Sequence, residues 1–261
     1  MTDSWRPRLV ALDVDGTVLD HDGTLPAEVR DAVRAVTDSG TRVVLATGRS
    51  WHGTLPVVEQ LGLQGPSVCS NGAVIVDFPP EQIVKAVTFD PRAVIEKVES
   101  YAPGTLIAVE EIGRGYRLSG PFPHGDLTGE MVIEDVEQLS SRPVTRIILR
   151  DPTRSDGDFV ALAERLGLHG VQYYVGYSAW LDIAPEGVTK AAALADVVAE
   201  LGIDAADVLA VGDGRNDVEM LEWAGRGVAM GQAPTEVQDV ADVVTGTYDE
   251  RGLVTELRRW F

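Results

Sequence analysis

The sequence predicts an α/β protein: a parallel-sheet core, residues 1–82 and 185–261, interrupted by an inserted α+β domain, residues 83–184. Three observations carry this. Apolar runs alternate with amphipathic segments at both ends of the chain, the pattern of βαβ units. The middle third loses that rhythm. Polar clusters follow the apolar runs, where an open parallel sheet gathers its ligands.

Leu9-Val10-Ala11-Leu12 opens the series as a buried strand. Pro26 to Ser39 follows as a helix, with Val29, Val33 and Val36 at helical spacing and Gly40 as its stop. Arg42 to Ala46 is the second strand, and Trp51 to Leu61 a second helix ending at Gly62. Val68 and Val74-Ile75-Val76 are expected to continue the parallel pattern as short strands. The middle then turns often, as at Ala102-Pro103-Gly104 and through Gly120 to Gly125. Tyr173-Tyr174-Val175 and Trp180 to Ile183, joined through Gly176, read as a hairpin in an antiparallel sheet. The first rhythm resumes with a helix from Thr189 to Leu201, a strand Val208 to Val211, a helix Asp217 to Ala224 and a strand Gly227 to Met230.

At 261 residues, with 44% hydrophobic and 24% charged residues, the composition is that of a soluble globular protein. No apolar run approaches the ~20 residues that cross a bilayer, and the first residues lack a secretory pattern. Cys69 is the sole cysteine and is expected as a buried small hydrophobe. The expected location is the cytoplasm. A net charge of -19 excludes nucleic acid and anionic membranes as partners, since both need a basic face. It would also repel a phosphorylated substrate, so such a site needs local cations. The chain has three lysines: Lys85, Lys97 and Lys190.

Four clusters carry chemistry. Asp13-Val14-Asp15-Gly16-Thr17 follows the first strand, and alternation places Asp13 and Asp15 on the same side, where they repel unless a cation or proton lies between them. Thr47-Gly48-Arg49 follows the second strand, its hydroxyl, flexible backbone and guanidinium suited to phosphate oxygens. Lys190 sits in the first turn of a helix, against the helix dipole, a cost that a bound anion would offset. Gly212-Asp213-Gly214-Arg215-Asn216-Asp217 brings oxygen ligands to another strand end. Asp213 and Asp217 beside Asp13 and Asp15 would require a hard cation, and Mg²⁺ fits an all-oxygen set. Alone, each of the three loop clusters also reads as a common turn and Lys190 as a solvated surface residue; Asn216, for one, is a plausible helix cap.

In this order and around an insertion, the four clusters resemble the haloacid dehalogenase (HAD) superfamily over essentially the whole chain. Ser70-Asn71-Gly72-Ala73 and the stretch from Trp180 through Pro185-Glu186-Gly187-Val188-Thr189 to Lys190 resemble its type IIB, Cof-like phosphatases. Ala191 departs from the glycine that this branch often carries after the lysine. The resemblance implies a Rossmann-like core with a cap, and a phosphatase acting on a small phosphate ester such as a sugar phosphate. It implies Asp13 as nucleophile and Asp15 as general acid and base, protonated at the outset by its acidic surroundings. Thr47 and Lys190 would hold the transferring phosphoryl group. Asp13, the Asp15 carbonyl and Asp213 would bind Mg²⁺, with Asp217 and Asn216 supporting. Gly48, Arg49, Asn71 and Asn216 are the substrate-binding candidates.

Three alternatives remain open at this stage: a phosphomutase, as among the phosphomannomutase relatives, a signalling receiver, and a binding protein without turnover. Glu110, Glu111, Arg114, Tyr116 and His124 are polar or aromatic candidates in the inserted domain, each expected as solvated surface. Trp180 and Tyr174 are expected in its core. The sequence does not reveal the oligomeric state.

Overall fold

A computed structural model describes residues 5–20, 22–151, 162, 171–176 and 180–261, with residues 171–176 described in their backbone alone. The chain forms two compact units. The first comprises Met1–Arg49, Thr54–Val84 and Thr189–Phe261; the second comprises Ser50–Gly53 and Lys85–Val188.

In the first unit, β1 (Leu9–Leu12), β2 (Arg42–Leu45), β12 (Val208–Gly212), β13 (Arg226–Ala229) and β14 (Val243–Val244) make one sheet in the order β14-β13-β12-β1-β2. Every pairing in it is parallel. All four residues of β1 are fully buried, as an unbroken apolar run in a central parallel strand requires. Leu9 and Ala11 pack with Ala193, Leu194, Val197 and Val198 of α5 (Lys190–Leu201). Helix α1 (Ala27–Asp38) buries Val29, Val33 and Val36, the stripe read from its spacing. The helix expected from Asp217 to Ala224 is a 3₁₀ turn, Arg215–Asp217, leading into a short helix, Val218–Trp223.

One expectation fails here. Val68 of β3 (Gly65–Cys69) keeps the parallel pattern in a single bridge to Ala46, but β4 (Val74–Phe78) does not continue it: β4 pairs antiparallel with β3, in a three-stranded sheet with β5 (Gln82–Ala86). The reason is local. Ser70, Asn71 and Gly72 all have positive φ and reverse the chain in a connection far too short for the crossover a parallel pair needs.

The second unit holds a six-stranded sheet in the order β10-β11-β9-β6-β7-β8. Its strands are β6 (Leu106–Glu111), β7 (Gly115–Leu118), β8 (Glu130–Ile133), β9 (Ile147–Arg150), β10 (Val171–Gly176) and β11 (Trp180–Pro185). The hairpin expected around Gly176 is β10 with β11, Tyr173 opposite Ile183; the Tyr174 side chain lies outside the described residues. The sheet is antiparallel throughout except for one parallel pair, β7 with β8. Ile107, Val109, Ile147, Leu149, Leu181 and Ile183 form its apolar face, packed with Val94, Ile95 and Val98 of α3 (Arg92–Tyr101). Among the described residues no helix is long and apolar enough to cross a membrane.

Candidate active site

Strand order decides which side chains meet. β12, β1 and β2 lie side by side and parallel, so Asp213, Asp13 and Thr47 leave the same edge of the sheet just beyond the strand ends. The chain passes from β1 to β2 on one side and returns as β12 on the other, the arrangement that opens a crevice in α/β sheets.

Lys190 is the centre of this edge. It is the first residue of α5, wholly buried, and Nζ donates to Asp13 Oδ1 at 2.6 Å and to Asp217 Oδ1 at 2.7 Å. The anions that offset its unfavourable position in the helix are therefore the protein's own carboxylates. Burial alone would lower the Lys190 pKa, but Asp13 and Asp217 overcome it and raise the ammonium above its ordinary value. Thr189 caps the helix, its Oγ1 accepting from Ala192 N at 3.0 Å.

Asp217 is also fully buried, and its second oxygen accepts from Asp213 N at 3.0 Å and Gly214 N at 2.9 Å. Both oxygens thus hold protein donors, so Asp217 braces Lys190 and the turn after β12. Asp13, Asp213 and Asp217 each present an oxygen, all within 4.8 Å of one another. Burial, then Asp217, pushes the Asp13 carboxyl well above its usual range, and the same causes push Asp213 up to about 6. One lysine does not neutralise three carboxylates. The donor set is all oxygen and still short of positive charge, which fits a hard divalent cation such as Mg²⁺.

Asp15 departs from expectation. Its carboxylate does not join the acidic cluster: it is exposed and receives Arg49 Nε at 2.8 Å and Nη2 at 2.5 Å. Its hydrogen-bonded partner is the Arg49 guanidinium, from the loop after β2, although its charge is still felt by Asp13 and Asp213. Arg49, expected at the substrate, spends two donors on Asp15. Thr47 is fully buried; its hydroxyl accepts from Arg49 N at 3.0 Å, which leaves the hydroxyl hydrogen to donate. Asn216 donates to Asn71 Oδ1 at 2.8 Å, so its side chain joins two loops instead of capping a helix. Gly48 lies against that pair: a Cβ there would stand 3.1 Å from Asn71 Oδ1.

Gln232 escaped the sequence reading. Its Nε2 donates to Gly16 O at 2.7 Å and to Asp213 Oδ2 at 3.3 Å, while its Oε1 accepts from Tyr248 N. Its position just past β13 is a weak signal, since amides are common in such turns.

Residues 10–257 match the family of haloacid dehalogenase-like hydrolases. The chain belongs to that family. It is 28% identical over 265 residues to the 5-amino-6-(5-phospho-D-ribitylamino)uracil phosphatase YcsE of Bacillus subtilis, covering 97% of this chain and 95% of that one. It is also 28% identical over 276 residues to the phosphatase YwpJ of Bacillus subtilis, covering 94% and 97%. In fold it is similar to the HAD subclass IIB sugar phosphatase BT4131, with a TM-score of 0.83, 22% identity and coverage of 96% and 97%. The haloacid dehalogenase resemblance read from the sequence is borne out, and with it the enzyme class: a hydrolase of this family, akin to phosphatases.

Proposed function

We propose that this hydrolase is a Mg²⁺-dependent phosphatase of small phosphorylated metabolites that works through an aspartyl-phosphate on Asp13. The observation that carries the reading is the buried Lys190 bridging Asp13 and Asp217, with Asp213 in the same cluster. We assign the first unit as the catalytic core and the inserted residues, 83–184, as the cap that governs substrate choice. The cytoplasm is the proposed location, in keeping with a lone buried cysteine.

Asp13 and Asp213 are proposed to hold the ion with the Asp15 carbonyl, and Asp217 to brace them. The bound Mg²⁺ would offset charge on the phosphoryl oxygens. Lys190, through Asp13 Oδ1, fixes the orientation of the nucleophile. An Asp13 oxygen then bonds to phosphorus as the ester oxygen leaves, taking a proton from Asp15. In the second half Asp15 accepts a proton from water, whose oxygen bonds to phosphorus and releases Asp13. Arg49 orients Asp15 for both transfers. Thr47 and the remaining Lys190 donor are assigned to the phosphoryl group. Gly48, Asn71 and Asn216 are proposed to shape the substrate side of the loop.

Relatives named for a phosphorylated ribitylaminouracil and a fold neighbour named as a sugar phosphatase support a small phosphate ester as substrate. The test is release of inorganic phosphate from a generic phosphate ester, with Mg²⁺ and with a chelator. Turnover that requires the metal is expected; equal turnover in the chelator would defeat the metal assignment, and none at all would defeat the phosphatase.

A further inference from the structure

Gln232 ties together three loops of the first unit, and no step above uses it. It lies in the turn that leaves β13. Its Oε1 accepts from Tyr248 N at 2.9 Å, in the loop after β14. Its Nε2 donates to Gly16 O at 2.7 Å, in the loop after β1, and to Asp213 Oδ2 at 3.3 Å, in the loop after β12. Both Nε2 hydrogens and the carbonyl oxygen are therefore engaged. The amide fits only one way round. Reversed, its oxygen would face a carbonyl and a carboxylate, and its NH₂ group a backbone N–H.

The Tyr248 end is the anchor. Gly231 N donates to Gly246 O at 3.0 Å, and a Cβ on Gly231 would stand 2.8 Å from Thr247 N, so the two loops meet backbone to backbone. The loop after β14 is braced internally: Thr247 N donates to Glu250 Oε2 at 2.9 Å and Thr245 Oγ1 to Gly252 O at 2.9 Å. The Tyr248 ring is buried, with the Arg251 guanidinium over it. The Nε2 end holds the groups that face the ion. Among the described residues Gln232 supplies the one hydrogen bond to the Asp213 carboxylate. Gly16 N donates to Leu19 O at 3.0 Å, so with Gln232 on its carbonyl Gly16 is held at both ends. The Asp15 carbonyl, assigned above to the ion, shares a peptide plane with that Gly16 N.

We propose that Gln232 is a positioning residue for the metal side of the site. Anchored on Tyr248 N, it fixes the rotation of the Asp213 carboxylate and the turn at Gly16, and so preforms the ligand set toward the divalent ion. The proposal rests on the Mg²⁺ reading above. Loss of a hydrogen-bonding partner behind a ligating carboxylate weakens metal affinity about ten- to a hundredfold.

Calorimetric titration of the full, substrate-free chain with Mg²⁺ reads this role without turnover. Gln232→Met removes all three bonds at similar volume and should raise the dissociation constant about tenfold. Gln232→Ala removes them with no risk of overpacking and should match it. Gln238→Met is the control for a loosened turn: Gln238 Nε2 donates to Gly231 O at 3.2 Å and to Ala233 O at 2.8 Å, on either side of Gln232, and neither bond reaches Asp213. Arg117→Met is the control for damage elsewhere, since it breaks buried ion pairs with Glu111 and Glu134 in the second unit. Both controls should bind Mg²⁺ within about twofold of wild type. On a generic phosphate ester, the Mg²⁺ concentration for half-maximal rate in Gln232→Met should rise about tenfold, with kcat at saturating Mg²⁺ within about threefold of wild type. A wild-type dissociation constant in both Gln232 variants, or an equal rise in Gln238→Met, overturns the positioning role. A loss of kcat that saturating Mg²⁺ does not restore overturns it too. A wild-type chain that binds no Mg²⁺ overturns the metal reading itself, and the proposal with it.

Discussion

Two buried cations, each between two carboxylates, sit in the two units and are built for different ends. Lys190 lies between Asp13 and Asp217 in the parallel-sheet unit, and Arg146 between Glu110 and Asp182 in the inserted one. In the Arg146 set a planar fork meets two acids and a phenol, and Thr145 donates to the Glu110 oxygen that faces Arg146. Around Lys190 a third carboxylate, Asp213, remains, and burial with Asp217 pushes both it and Asp13 upward. A compact ammonium leaves that cluster short of positive charge. The first set is made to take a charge and the second to hold a shape. Breaking each should therefore give a different loss.

The largest effect is expected at Asp13. Asp13→Asn keeps size and the Lys190 contact but removes the nucleophile, and turnover of a phosphate ester should fall at least about a thousandfold with the fold intact by circular dichroism. Near-normal rates in that variant would remove Asp13 from the chemistry. Next come the cations themselves. Lys190→Met and Arg146→Met each strand two buried acids, and each should cost about 3–5 kcal/mol of stability, read as a drop of roughly 10 °C in the unfolding midpoint. Their activities should separate: Lys190→Met loses about a hundredfold or more at a temperature where it remains folded, Arg146→Met about tenfold. Equal losses in the two would mean that the clusters do not differ in kind.

Addition of Mg²⁺ probes the charge deficit without a mutation in the nucleophile. At about a hundred times its dissociation constant the ion should stabilise the protein by about 2.7 kcal/mol, seen as a raised midpoint. Asp213→Asn should abolish that rise, whereas Arg117→Met should retain it. A rise that survives in Asp213→Asn would place the ion elsewhere.

The same contrast explains what could be read from the sequence. Leu9–Leu12 and Val208–Val211 are apolar runs ending in acids, so strand, sheet edge and chemistry are written in one stretch. Lys190 stood out as a cation at the wrong end of a helix. The antiparallel turn of β3 onto β4 was not legible, because Ser70 and Asn71 adopt positive φ that neither residue type demands. Asp15 with Arg49 was missed since its partner is set by how two loops fold back. Glu110 and Tyr116 were expected on the surface and are buried. The missed signal was Arg146 directly before Ile147-Ile148-Leu149, and Asp182 between Leu181 and Ile183: charges embedded in apolar strands imply partners on a shared face. Arg114 and His124 are exposed as expected, and Trp180 packs against the small apolar cluster of Ala108, Leu118 and Ile148.

The smallest effect tests how tightly the metal side of the Lys190 cluster is built. Gly16 and Gly23 share nearly the same backbone, φ +83° and +79°, but a Cβ at Gly16 would meet Asp213 Oδ2 at 2.3 Å, while one at Gly23 meets nothing within 4 Å. Alanine at either position carries the same left-handed strain of about 1–2 kcal/mol, so the difference between the two variants isolates the push on Asp213. Gly23→Ala should lower the midpoint by a few degrees and keep the Mg²⁺ response. Gly16→Ala should lower it slightly further and weaken the apparent Mg²⁺ affinity about tenfold, because the displaced carboxylate also loses the Gln232 contact that orients it. Identical Mg²⁺ titrations for the two variants would show that Asp213 has room to move, and that the acidic edge is not tightly held.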